Sequence, residues 1–130
     1  MGSIRVMMIE DNEDSGEALS MVLELEGFAV EWSRTGDEAL AAITADREAG
    51  RTPCDVVLLD LMLPDMSGVQ LVRRFEAIGF AVPLVLHSAA SDRDMNDALE
   101  RTHAIASLRK PTDSAQLTSA LRSAVRTHAR

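Results

Sequence analysis

Tyrosine is absent from the 130 residues, and three phenylalanines and one tryptophan are the only aromatic side chains. Any core must therefore be aliphatic. Cysteine occurs once, at Cys54, so no internal disulfide can form. Its place beside an apolar run reads as a small buried hydrophobe. No apolar run approaches the roughly 18 residues that span a bilayer, so membrane insertion is not expected. Ile4–Ile9 is too short for a secretory signal and has no cleavage site after it. A cytoplasmic, reducing compartment is the expectation. Basic residues are outnumbered, 13 against 21 acidic, for a formal net charge of −8. An acidic surface disfavours direct nucleic-acid binding, which needs a basic face, and otherwise serves solubility. What is present is 46% apolar residues, too many for a disordered chain and enough for one domain spanning residues 1–130.

Hydrophobic spacing divides the chain into alternating elements. Ile4–Ile9 reads as a strand that runs into the acidic cluster Glu10-Asp11-Asn12-Glu13-Asp14. A helical period then uses Ala18, Leu19, Val22, Leu23 and Leu25 and stops at Gly27. Phe28–Trp32 reads as a second strand. Thr35 and Glu38 have the spacing of a capping box, ahead of a helix that uses Ala39, Leu40, Ala42 and Ile43 and frays near Gly50. Val56–Leu59, four aliphatic residues in a row, reads as a strand buried on both faces. After Pro64 a helix carries Val69, Leu71, Val72, Phe75 and Ile78 and stops at Gly79. Ala81–Ser88 is a fourth strand with Pro83 near its start. Ser91 opens a fourth helix with a thin apolar face of Met95, Ala98 and Leu99. Ala104–Leu108 is a short fifth strand. Asp113 caps a last helix with Leu117, Ala120, Leu121, Ala124 and Val125 on one stripe, and Arg122, Arg126 and Arg130 lie toward its end.

Five strand–helix units imply an α/β fold with a parallel sheet covered on both faces. Right-handed crossovers and the burial of the most apolar strands at the centre predict a doubly wound (βα)5 architecture with strand order 2-1-3-4-5.

Parallel strands bring their carboxyl ends to one edge. The first strand ends in Glu10 and Asp11, the third in Asp60, the fourth in Ser88 and the fifth in Lys110. Two carboxylates about 4 Å apart repel by about 4 kcal/mol at an effective dielectric of about 20. Three need a cation or a shifted pKa. Hard oxygen ligands with room for water and phosphate describe a Mg²⁺ site, with Asp11 and Asp60 as ligands and Glu10 acting through water. Asp60 is then a candidate phosphoryl acceptor, Lys110 a second positive charge and Ser88 a hydroxyl donor to a phosphoryl oxygen. Each residue also has a plainer role. Asp60 and Ser88 could be turn formers, and Glu10 and Asp11 could cap the following helix. Lys110 is the single lysine beside twelve arginines, and a compact point charge suits a phosphate. His87, His103 and His128 are scattered and read as structural or surface residues.

The segments Met8–Asn12, Leu58–Gly68, Leu86–Ala89 and Leu108–Pro111, in this order and spacing, resemble the receiver domain of bacterial two-component response regulators. The resemblance implies a flavodoxin-like fold. It implies transfer of a phosphoryl group to Asp60 from a sensor histidine kinase or a histidine phosphotransfer protein. It implies Mg²⁺ held by Asp11, Asp60 and the backbone carbonyl of Met62, with Glu10 in the outer acidic position. Ser88 matches the switch Thr/Ser, and Lys110 the phosphate-binding lysine. Kinase choice falls to surface residues of the first helix such as Ala18 and Met21. The domain is a signalling element, not an enzyme, beyond self-catalysed phosphotransfer and dephosphorylation.

Two positions depart from the family pattern. Ser107 stands where an aromatic residue usually precedes the lysine by three, and Thr112 replaces the common aromatic after Pro111. Ser107 cannot bury a ring when the domain switches, so the usual reshaping of the surface around the fourth helix and fifth strand is in question. A non-phosphorylated pseudo-receiver, used for docking or dimerisation, therefore remains open, as does a phosphorylation-dependent homodimer. A dehalogenase-type phosphatase would need a second Asp where Met62 stands. A flavin-binding flavodoxin would need a phosphate loop in place of the acids at Glu10–Asp14. With no output domain after the last helix, the chain reads as a stand-alone receiver or as one part of a longer regulator.

Overall fold

The structure, a computed structural model, describes residues 2–128, so Arg130 lies outside the described residues. The elements are β1 (Arg5–Ile9), α1 (Glu13–Leu25), β2 (Ala29–Ser33), α2 (Gly36–Glu48), β3 (Val56–Leu59), α3 (Gly68–Ala77), β4 (Leu84–Ser88), α4 (Asp92–Thr102), β5 (Ala106–Arg109) and α5 (Ser114–His128). All sheet neighbours are parallel, in the expected order β2-β1-β3-β4-β5.

The two-residue period of the strands divides the core in two. Met7, Ile9, Val57, Leu59, Leu84 and Leu86 face α2, α3 and α4, where Ile43, Leu71, Phe75 and Met95 pack on them. Val6, Met8, Val56, Leu58 and Val85 face α1 and α5, where Leu23, Leu117, Leu121 and Ala124 complete a second layer. All four residues of β3 are buried, which is why that strand reads as an unbroken aliphatic run. Each large aliphatic side chain removed from water contributes about 1.5–3 kcal/mol.

The ends of the elements differ from the sequence expectation in physically clear ways. β4 starts at Leu84 rather than Ala81, and Pro83 precedes it, with its carbonyl accepting from Val57 N at 3.0 Å. β5 covers Ala106–Arg109 and β2 covers Ala29–Ser33, each shifted toward the carboxyl edge. Thr35 caps α2 through its hydroxyl, but Glu38 accepts from the Arg34 N–H instead of returning to the cap. The reciprocal box sits at α3, between Ser67 and Gln70. Leu25 is 86% exposed and Ile78 40% exposed, so neither belongs to the core.

These exposures give a paired test. Leu23 is fully buried, and Leu23→Ala is expected to lower stability by about 2–5 kcal/mol. Leu25→Ala, on the same helix, should change it by no more than about 0.5 kcal/mol. Urea denaturation of the two variants checks both values.

Candidate functional site

Each strand delivers its last residues to the carboxyl edge, and backbone bonds lock those ends together. Asp60 N donates to the Ile9 carbonyl at 3.1 Å, Glu10 N to the Ser33 carbonyl at 3.0 Å and Lys110 N to the Ser88 carbonyl at 2.9 Å. Asp60 is 5% exposed, Glu10 2% and Ser88 fully buried. Oδ1 of Asp60 accepts from Ser88 Oγ at 2.8 Å and from Met62 N at 3.0 Å. Its Oδ2 accepts from Lys110 Nζ at 2.9 Å. The same ammonium donates to Glu10 Oε1.

Glu10, Asp11 and Asp60 each place a carboxylate oxygen within 4.8 Å of the others. Asp11 alone of the three faces solvent. Three carboxylates against one ammonium leave two negative charges in the cluster. That surplus, offered by hard oxygens with one face open to water, fits a divalent cation such as Mg²⁺. The plainer role considered for Glu10 and Asp11, capping α1, belongs to Asn12. Its Oδ1 accepts from Ser15 N at 2.8 Å, so neither acid is used as the cap. The Glu10 carboxylate accepts from Lys110 Nζ and from the Asn12 N–H at 3.2 Å.

Burial alone would lower the Lys110 pKa. Its hydrogen bonds to the Glu10 and Asp60 carboxylates, and their charges, reverse that and hold it above the ordinary lysine value. Lys110 is therefore a permanent cation. Cys54 is buried with its thiol pushed up to about 12, chiefly by desolvation, so it is the inert hydrophobe expected. His87 is buried beneath the site. Desolvation and the Lys110 charge push it down to about 4, against an opposing pull from Asp60. His103, by contrast, is the left-handed residue that ends α4.

The loop after β3 is a closed turn. Met62 and Ser67 form an isolated antiparallel bridge, and Gly68 N donates to the Leu61 carbonyl at 2.9 Å. Gly68 is required by close approach, since a Cβ there would lie 2.9 Å from Leu61 Cα and 3.0 Å from the Asp60 carbonyl. Asp65 ties this loop to α2 by accepting from Gly36 N at 3.0 Å and Asp37 N at 2.9 Å. Burial would raise the Asp65 carboxyl, but these N–H donors hold it below the usual range. The Met62 side chain is 53% exposed. On the α1 side, Ser15, Ala18, Leu19, Ala89, Pro111 and Thr112 line an open groove that reaches Lys110 and His87.

Asp65, Asn12 and Trp32 also shape this edge, though the residue pattern does not mark them for it. The Trp32 indole N–H donates to the Glu10 carbonyl at 2.8 Å. The signals available were a lone tryptophan at a strand end, and a helical glycine, Gly16, where a Cβ would lie 1.9 Å from the indole.

The neutral burial of His87 sets a pH dependence. Between about pH 6.5 and about 4 the unfolded imidazole takes up a proton that the folded one does not. Stability therefore falls as pH drops through this window, by about 2 kcal/mol from about pH 7 to about pH 5. Denaturant midpoints should decline less over that range in His87→Leu. Equal declines would contradict a neutral buried imidazole.

Comparison with known proteins agrees with this geometry. A family model for the response regulator receiver domain matches residues 6–122. The transcriptional regulatory protein CseB of Streptomyces coelicolor is 36% identical over 122 residues, 93% of this chain and 49% of CseB. The transcriptional regulatory protein QseB of Haemophilus influenzae is 32% identical over 91 residues, 70% of this chain and 38% of QseB. This chain spans less than half the length of these curated relatives. The BeF3-activated N-terminal receiver domain of Klebsiella pneumoniae RstA superimposes with a TM-score of 0.80 at 30% identity, covering 94% of this chain and 98% of that one. A CheY-like receiver domain protein from Methanospirillum hungatei shares the fold, with a TM-score of 0.84 at 20% identity, covering 98% of each chain. The fold, the edge where these side chains converge and the relatives agree: this chain belongs to the response regulator receiver domain family.

Proposed function

We propose that the chain, read as a single receiver domain over residues 1–130, accepts a phosphoryl group on Asp60 in a two-component signalling system. The observation that carries this is the carboxylate of Asp60, buried at the end of β3 and bonded to Ser88 and Lys110 beside the acids Glu10 and Asp11. An Asp60 oxygen attacks the phosphorus of a phosphohistidine on a sensor kinase or phosphotransfer protein. The new P–O bond forms as the P–N bond breaks, and the electron pair leaves with the imidazole. In-line transfer of this kind needs positioning and charge stabilisation more than covalent help from the protein.

Asp11, Asp60 and the backbone carbonyl of Met62 would hold Mg²⁺, with Glu10 outside that set. The bound ion supplies positive charge to the transferring group. Lys110 already donates to Asp60 Oδ2 and brings an ammonium to the acceptor. The Ser88 hydroxyl, now directed at Oδ1, is placed to turn to a phosphoryl oxygen. Glu10 also accepts from the Lys110 ammonium and so helps keep it at the site. The groove beside Lys110, lined by Ala18 and Leu19 of α1, and the exposed Met21 suit the docking of a donor protein.

Ser107 lies opposite Leu86 in the β4–β5 ladder. It is not among the hydrogen-bond partners of Asp60, so its effect falls on how the surface responds, including any phosphorylation-dependent homodimer. No helix among the described residues is long and apolar enough to cross a membrane; the cytoplasmic location we propose rests on the two-component reading itself.

Intact mass after incubation with Mg²⁺ and acetyl phosphate tests this function. A gain of one phosphoryl group is expected, lost in Asp60→Asn and with EDTA. Lys110→Ala should slow the gain by about 10²-fold, the scale for losing one preorganised charge-stabilising donor. No gain in the wild type, with no Mg²⁺ binding by titration, would favour the pseudo-receiver, a docking or dimerisation module.

A further inference from the structure

We propose that Trp32 is a positioning residue for the acidic loop, its indole fixing Glu10 so that Asp11 is held in reach of Asp60. The proposal rests on the Mg²⁺ reading of Glu10, Asp11 and Asp60 given above. β2 takes both polar backbone atoms of Glu10. Ser33 accepts the Glu10 N–H at 3.0 Å, and the Trp32 indole N–H donates to the Glu10 carbonyl at 2.8 Å. Two residues on, Asn12 is fixed by its cap to Ser15 N at 2.8 Å, and its carbonyl accepts from Gly16 N at 2.9 Å. Asp11 is the single residue between these anchors. Its own side chain faces solvent, so its position follows from theirs.

The indole sits in a fitted slot. Gly16 on α1 leaves the space, and a Cβ there would come within 1.9 Å of Cζ2 and 2.3 Å of Cε2. The Arg34 guanidinium covers the ring at 4.5 Å and also pairs with Glu13 at 3.6 Å. That pair is exposed and contributes little by itself, so the hydrogen bond and the slot carry the effect. Supports one shell outside a metal site commonly change affinity by roughly 10–100-fold when removed.

The test is Mg²⁺ titration by calorimetry on the full chain. Trp32→Phe keeps a ring and loses the N–H. Gly16→Ala keeps the tryptophan and displaces it. Both should weaken Mg²⁺ binding by roughly tenfold, while Arg34→Gln stays within about twofold. Replacement of Trp32 by benzothienylalanine, which has the same shape without the N–H, should give the Trp32→Phe affinity and guards against a packing effect. Because Trp32 is the sole tryptophan, its emission should change on Mg²⁺ addition in the wild type with the calorimetric Kd, and should lose that response in Gly16→Ala. Wild-type affinity in a folded Trp32→Phe or benzothienylalanine protein overturns the role of Trp32 alone. Absence of Mg²⁺ binding in the wild type overturns the metal reading and the proposal with it.

Discussion

Lys110 reaches from the end of β5 to carboxylates on two other strands, Glu10 after β1 and Asp60 after β3. The rest of the site depends on this contact. Without the ammonium, two buried carboxylates would face each other unpaired, a condition that costs several kcal/mol. With it, both stay beside Asp11, and one face of the cluster is left open. The sheet makes the contact possible, because parallel strands end on the same edge and β1, β3, β4 and β5 follow one another across it.

The backbone around this contact is held more tightly than the charges alone require. Strand ends are bonded pairwise, from Ser33 to Glu10, Ile9 to Asp60 and Ser88 to Lys110. The loop after Asp60 is closed by the Met62–Ser67 bridge and fastened to α2 through Asp65. Such preorganisation suits a reaction whose barrier falls through placement and electrostatics. Two of the groups at this edge, the Ser88 hydroxyl and the Lys110 ammonium, are already bonded to Asp60, and Asp11 beside them faces solvent.

Much of this was legible in the sequence. The run Val56–Leu59 named the central strand because burial on both faces removes any need for polar alternation. The five strand-end residues were legible because parallel topology alone converts position in sequence into position at one edge. Other features were not. Nothing local says that Lys110 pairs with Glu10, a hundred residues away, or that Asn12 rather than Asp11 caps α1. Leu25 fits the helical period of α1 yet points to water, because periodicity gives a stripe without its width. The Trp32 bond crosses between strands and depends on a missing Cβ at Gly16, a complementarity visible only when β2 and α1 are placed together.

The most direct measurement is to locate the phosphoryl group itself. Protein treated with acetyl phosphate and Mg²⁺ would be reduced with borohydride, which converts an acyl phosphate to an alcohol, and then mapped by peptide mass. The expected result is a single modified residue, Asp60, with Glu10 and Asp11 untouched. Modification at Asp11, at Glu10 or at no carboxylate would contradict the assignment of Asp60 as the acceptor around which Lys110, Ser88 and the acidic pair are arranged.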